Sequence, residues 1–138
     1  MPLKSIKAID YMTKNPVVVK PSTTLFDAID MMTTAKVSGA TVLNEAQEVV
    51  GIISEIDCLQ AILKGSYHGE IGGNVESFMT KDVEVVDAEQ DILAIAERLI
   101  RDKRRRLPVV RGGKFIGQFS VRSILSAVKN FNNKNNTL

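Results

Sequence analysis

Apolar positions along the chain alternate between two periods. Leu25, Ala28, Ile29 and Met32 recur at helical spacing, and so do Ile92, Ile95, Ala96, Leu99 and Ile100. Each of these segments follows a brief apolar run, residues 17–19 or 83–86, that reads as a strand, and each such run follows a short helix ending in Met-Thr-Lys. After each helix come two more runs that read as a hairpin, 40–43 with 49–53 and 107–110 with 115–119. Gly112-Gly113 in the second turn suits the positive φ angles of a tight hairpin. A last helix opens at Ser54 or Ser120, each a good N-cap, and carries Ile56, Leu59, Ile62 and Leu63, or Ile124, Leu125 and Val128. Thr24 followed by Asp27 resembles a capping box, and Asp91 is placed to cap its own helix.

The same order of elements occurs twice because the sequence itself does. Met12-Thr13-Lys14 returns as Met79-Thr80-Lys81, an offset of 67, and at that offset Val19 falls on Val86, Leu25 on Ile92, Met32 on Leu99 and Val42 on Val109. Past the hairpin turn the offset is 66: Gly51 falls on Gly117, Ser54 on Ser120, Leu59 on Leu125 and Ala61 on Ala127. A one-residue drift confined to a turn is the mark of two diverged copies. The expected organisation is a first copy at residues 5–64, a linker at 65–74, a second copy at 75–130 and an Asn-rich flexible tail at 131–138. The fold class is α/β in the broad sense, α+β more narrowly, as two β-α-β-β-α repeats. A unit of this size with helices on one face of its sheet leaves the other face bare and is marginal alone. The two sheets are therefore expected to pack on each other about a pseudo-twofold axis, leaving two equivalent clefts suited to a small ligand.

Composition narrows the function. With 138 residues, 44% hydrophobic and 25% charged, the chain has the balance of a folded globular protein. No apolar run approaches the ~18–20 residues that cross a bilayer, and the N-terminal stretch lacks the apolar core of a signal peptide, so the expected compartment is the cytoplasm. A single cysteine, Cys58, excludes an intramolecular disulfide framework and a cysteine-based metal knuckle. With one histidine, His68, in a Gly-flanked linker, no Ser-His-Asp set or metal cluster can be assembled, and no catalytic role or metal is expected. The net charge of +2 and the absence of tryptophan argue against nucleic acid. Charge is nonetheless uneven: residues 70–138 hold twelve Lys/Arg against nine Asp/Glu, concentrated in Lys103-Arg104-Arg105-Arg106.

Ser54 sits where a helix N-terminus offers free backbone N–H groups to an anion. Asp57, one turn in, carries a carboxylate able to accept the two hydrogen bonds of a ribose diol. Two readings are open for this pair, a ligand contact or a simple capping pair. The second copy has Ser123 where the first has Asp57.

These features together resemble a tandem pair of CBS domains, the cystathionine-β-synthase-type repeat, also called a Bateman module. The resemblance spans about residues 5–128 and rests on the two Met-Thr openings, on Leu107-Pro108-Val109-Val110, and on Gly51-Ile52-Ile53-Ser54-Glu55-Ile56-Asp57. It implies a regulatory module that binds an adenosine nucleotide of the AMP, ADP or ATP class, or a relative such as S-adenosylmethionine, and signals to a separate protein, with no obligatory cofactor. It further implies a main cleft formed by Ile52, Ser54, Asp57, Val83, Val85, Arg104, Arg105, Arg106 and Leu107, with Arg105 and Arg106 on the phosphates. A second, weaker cleft would hold Val18, Ser38, Gly39, Ala40, Ser120 and Arg122, without a carboxylate for ribose. The helices' broad apolar stripes lead us to expect a homodimer. The alternative is a protein-interaction or dimerisation module with vestigial clefts.

Overall fold

The structure, a computed structural model, describes residues 6–136. Along the chain run α1 (Ala8–Tyr11), β1 (Val18–Val19), α2 (Leu25–Ala35), β2 (Gly39–Leu43), β3 (Val49–Ser54), α3 (Glu55–His68), a 3₁₀ turn at Val75–Ser77, β4 (Val86–Asp87), α4 (Ile92–Arg101), β5 (Arg106–Arg111), β6 (Lys114–Ser120) and α5 (Val121–Asn136). The architecture is α+β, with two three-stranded mixed sheets, β1-β2-β3 and β4-β5-β6. In each the first strand lies parallel to the second and the second antiparallel to the third. The register repeats at the offset read from the sequence: Val19 pairs with Val42 and Val86 with Val109, and both hairpins carry an irregularity just after that valine.

Local chemistry accounts for the element ends. The Thr24 hydroxyl accepts from Asp27 N at 3.1 Å and Asp91 Oδ1 from Ala94 N at 2.9 Å, closing the first turns of α2 and α4. Lys36 and Lys103, equivalent in the two copies, both take left-handed backbone (φ 57° and 53°) where the chain leaves the helix. Gly112 and Gly113 have φ of 57° and 79°, as a two-residue hairpin requires. The longer first turn is tied instead by the Asn44 side chain, whose Oδ1 accepts from Ala46 N and Glu48 N, each at 2.9 Å.

The described residues divide into two compact units, Val17–Val83 and a second that joins residues 6–16 to residues 84–136. The reason lies in the Met-Thr segments. Thr80 exchanges both main-chain hydrogen bonds with Ile52 (2.8 and 2.9 Å), on the outer edge of β3. Thr13 does the same with Gln118 (2.7 and 3.0 Å) on β6. Each segment thus seals the sheet of the copy it does not precede. The cores follow: Ile6 and Ala8 are buried with Val86, Ile92, Ile95, Leu107, Val109 and Phe119, whereas Val75 is buried with Val19, Leu25, Met32, Val42 and Ile53.

Three sequence expectations change. The runs at 17–19 and 83–86 form strands only over Val18–Val19 and Val86–Asp87, so Val83 and Val85 lie in irregular chain. The stretch 65–74 between the copies is not loop throughout: the first copy's last helix continues through Gly65 to His68, which is an exposed helix end, and Gly69 at φ 73° terminates it. The last helix continues past residue 130 to Asn136, where a flexible tail was expected; Asn130 Nδ2 donates to the Tyr11 hydroxyl at 3.2 Å. Residues 137 and 138 of that tail lie outside the described residues.

Candidate functional site

In the unit Val17–Val83, the turn from β3 into α3 brings Ser54 and Asp57 into reciprocal contact. The Ser54 hydroxyl accepts from Asp57 N at 3.1 Å, and Ser54 N donates to Asp57 Oδ2 at 2.9 Å. This is a complete capping box, so the capping reading holds. It does not use up the carboxylate, which is half-buried and has a second oxygen with its own lone pairs. The backbone hydrogen bond instead fixes where that oxygen points. Gly39 lies across the hairpin from Ser54, and Ser38 O accepts from Glu55 N at 2.9 Å, so Ser38, Gly39, Ser54 and Asp57 share one corner of this unit. Ala40 is buried in the unit's core. Val18 lies on the sheet-edge strand β1 and is half-buried. Both peptide groups of Ile52 are taken by Thr80, which leaves only its half-buried side chain for a ligand.

The other unit repeats the corner with different chemistry. Arg106 opens β5 opposite Ser120, and Arg105 O accepts from Val121 N at 3.0 Å, matching Gly39 and Ser38. Ser120 and Ser123 reproduce the box without a carboxylate: each backbone N–H donates to the other's hydroxyl at 3.2 Å, and the two hydroxyl oxygens are 3.1 Å apart. Arg105 and Arg122 are exposed, whereas Leu107 is buried in the core. Within each unit, then, the structure groups residues that the sequence distributes over two clefts: Arg105 and Arg106 with Ser120, and Ser38 and Gly39 with Ser54 and Asp57.

Sequence analysis missed a charged cluster around Glu84. Its carboxylate lies 3.3 Å from Arg98 Nη2 and 3.9 Å from Arg104 Nε, and Arg98 Nη1 also donates to Val85 O at 3.1 Å. Arg104 Nε is buried and makes no hydrogen bond. Beside the cluster Asp102 accepts from Arg101 Nε at 3.1 Å, and those hydrogen bonds are the main reason its carboxyl is held below the ordinary carboxylate range. The signal was present in the repeat comparison. At an offset of 67 the first copy has Val17, Met31 and Val37 where the second has Glu84, Arg98 and Arg104. Three apolar positions turned charged together mark a coupled set.

Cys58 is buried in the core of its unit. Burial, and then the charges of Asp57 and Glu55, push its thiol up, which disfavours a nucleophilic thiolate. Among the described residues no group of three His, Cys, Asp or Glu is placed to hold a metal ion, and no helix is long and apolar enough to cross a membrane.

The profile of the CBS domain matches residues 6–64 and 75–130. An uncharacterised protein of Methanocaldococcus jannaschii, MJ1225, is 28% identical over 108 residues, which are 78% of this chain; the chain spans only 38% of that protein's length. The crystal structure of CBSX2 in complex with AMP superposes with a TM-score of 0.81 at 31% identity, covering 91% of this chain and 98% of that one. CBSX2 is an Arabidopsis thaliana protein. The CBS domain pair of MJ0100, in complex with 5-methylthioadenosine and S-adenosyl-L-methionine, shares the fold at a TM-score of 0.76 and 17% identity, covering 91% and 97%.

Proposed function

Because the chain belongs to the CBS-domain family and carries two copies in tandem, we propose that it is a non-enzymatic regulatory module that binds an adenosine nucleotide and reports its occupancy to a separate protein. The observation that carries this reading is the Asp57 carboxylate, oriented through Oδ2 by Ser54 N–H with its other oxygen left for a ribose hydroxyl. Only the first copy has it; Ser123 stands in the second, so one competent site per chain is expected. For the phosphate oxygens the basic run supplies the candidate cations Arg105, which is exposed just before β5, and Arg106, which opens it, because guanidinium forks match the anion's geometry. Ile52 and Val83, half-buried in the same unit as Asp57, contribute apolar surroundings, whereas Leu107 is buried in the core and is not offered to a ligand. The AMP seen with the similar Arabidopsis chain supports the ligand class.

Two charge-assisted contacts, a diol contact and an adenine slot add up to micromolar affinity, about 8 kcal/mol. Calorimetric titration of nucleotide-stripped protein with adenosine, AMP, ADP, ATP and S-adenosylmethionine is expected to show binding at that level with about one ligand per chain. No heat and no thermal shift with any of them would replace this reading with the interaction module.

The module's first partner is a second copy of the chain. Ile56, Leu59, Leu63 and Tyr67 run along α3, each more than half exposed, and Val121, Leu125 and Val128 form an exposed stripe on α5. Continuous apolar stripes of this kind are unusual on a monomer surface. Light scattering is expected to give twice the chain mass, and Leu59→Glu with Leu125→Glu to give the monomer. A monomeric parent protein would remove the homodimer.

A further inference from the structure

The two copies present helical faces of different shape and charge. Between α2 and α3 of the first copy lies an open groove of about 170 Å³. Met32 and Cys58 are buried in it, Ile29 and Ile62 are half-buried, and Thr33 and Glu55 stand exposed along it. At the last two positions the second copy has Ile100 and Val121, 80% and 43% exposed. Leu59 also lines the groove, and its equivalent Leu125 is 64% exposed. A groove edged by a hydroxyl and a carboxylate thus corresponds to an aliphatic ridge. The first turns of the adjoining helices differ in sign: Glu55-Ile56-Asp57 opens α3, whereas Val121-Arg122-Ser123 opens α5, a helix without Asp or Glu. The remaining charges do not reverse this contrast. Asp27 of α2 stands where α4 has Ala94, Asp30 matches Glu97, and Lys64 on α3 has a counterpart in Lys129 on α5. Arg98 and Arg101 of α4 are already paired with Glu84 and Asp102.

Building on the homodimer reading above, we infer that the dimer joins unlike faces: the α4/α5 ridge of one copy enters the α2/α3 groove of the other. Groove and ridge occupy equivalent positions of the repeat. A near-twofold contact between unlike faces therefore sets Ile100 and Leu125 against the floor formed by Met32 and Cys58, and brings Arg122 towards Glu55. That contact covers apolar side chains exposed on the single chain and sets opposite charges together. Contact between like faces leaves groove facing groove, with Glu55 against its own counterpart, and ridge facing ridge, with Arg122 against its own. The occupant of the groove is a second copy of this chain, through its second repeat.

Light scattering first establishes the mass of the parent protein. In a Cys58→Ala background, so that only the installed thiol reacts, Leu59→Cys and Leu125→Cys proteins, one enlarged by a tag, are incubated together and treated with a short bismaleimide. The expected result is cross-linked product of mixed mass, with little self-linked product of either protein. Independently, Glu55→Arg and Arg122→Glu are each expected to weaken the dimer about tenfold, and the double reversal to return it to within about threefold of the parent. Sedimentation over a dilution series reads these constants, with circular dichroism to confirm folding. Absence of the mixed product from a dimeric protein, or reversals without effect singly and together in folded protein, overturns the unlike pairing and leaves the homodimer standing. A monomeric parent protein overturns both.

Discussion

Replacing Asp57 by serine is expected to weaken adenosine nucleotide binding about 10–100-fold while leaving the protein nearly as stable as before. Asp57 has two roles at once, and the second copy supplies the means of separating them. In the first role its Oδ2 accepts from Ser54 N and helps close the first turn of α3. In the second, the remaining oxygen meets the ribose. Ser120 and Ser123 show that a serine at this position can carry the first role alone, since the Ser123 hydroxyl accepts from Ser120 N at 3.2 Å. Asp57→Ser thus retains the box and loses the carboxylate. Asp57→Ala loses both, and its stability is expected to fall by about 1 kcal/mol, the ordinary worth of a cap. Ligand binding should be equally weak in the two variants, with stability lower only in the alanine. Titration calorimetry reads the first quantity and urea denaturation the second. Full-strength binding by a well-folded Asp57→Ser protein would show that Asp57 is no more than a cap.

The contrast between Asp57 and Ser123 also shows what the sequence could reveal. Helix starts at Ser54, Ser120, Thr24 and Asp91 were legible because a cap is a local device, decided by a side chain and an N–H three residues on. Hairpin pairing was legible because apolar alternation and the Gly112-Gly113 turn specify it. Less local features were hidden. Val85 reads as strand by its side chain, but its carbonyl accepts from Arg98, thirteen residues away. Gly65 stands inside helix α3 because a side chain there would strike the carbonyl of Glu70, which returns close to the helix after Gly69. The helix propensity of glycine pointed the other way. Glu84 escaped notice because an isolated glutamate is usually a solvated surface group. Only the charged trio, seen against Val17, Met31 and Val37, gives it a partner.

The exchange of the Met-Thr segments was likewise hidden, although its determinant, a glycine at the same point of both copies, is plain in the sequence. Gly117→Ala is expected to destabilise the protein by about 2–4 kcal/mol, the cost of overpacking a tight contact together with a weakened backbone pair. A Cβ on Gly117 would lie 2.7 Å from the Thr13 carbonyl oxygen and 2.7 Å from the Met12 sulfur. The sulfur belongs to a flexible side chain and can swing aside. The carbonyl cannot, because its oxygen accepts from Gln118 N at 3.0 Å and the amide of the same residue donates back at 2.7 Å. The methyl group must therefore push the segment off the edge of β6 and with it withdraw Ile6 and Ala8 from the core they share with Phe119. At Gly51 the balance differs: the nearest atom is the Met79 sulfur, at 2.6 Å, and the Thr80 carbonyl oxygen is further away, at 3.0 Å. Gly51→Ala should accordingly cost less, and adding Met79→Ala should recover most of that loss. Adding Met12→Ala to Gly117→Ala should recover little, because the backbone clash remains. Urea denaturation followed by circular dichroism measures all four variants, and amide exchange at Thr13 reports directly on the released segment. Equal costs at the two glycines, or full rescue of Gly117→Ala by Met12→Ala, would mean that side-chain crowding governs the contact and that the strand edge is not what holds the exchanged segment.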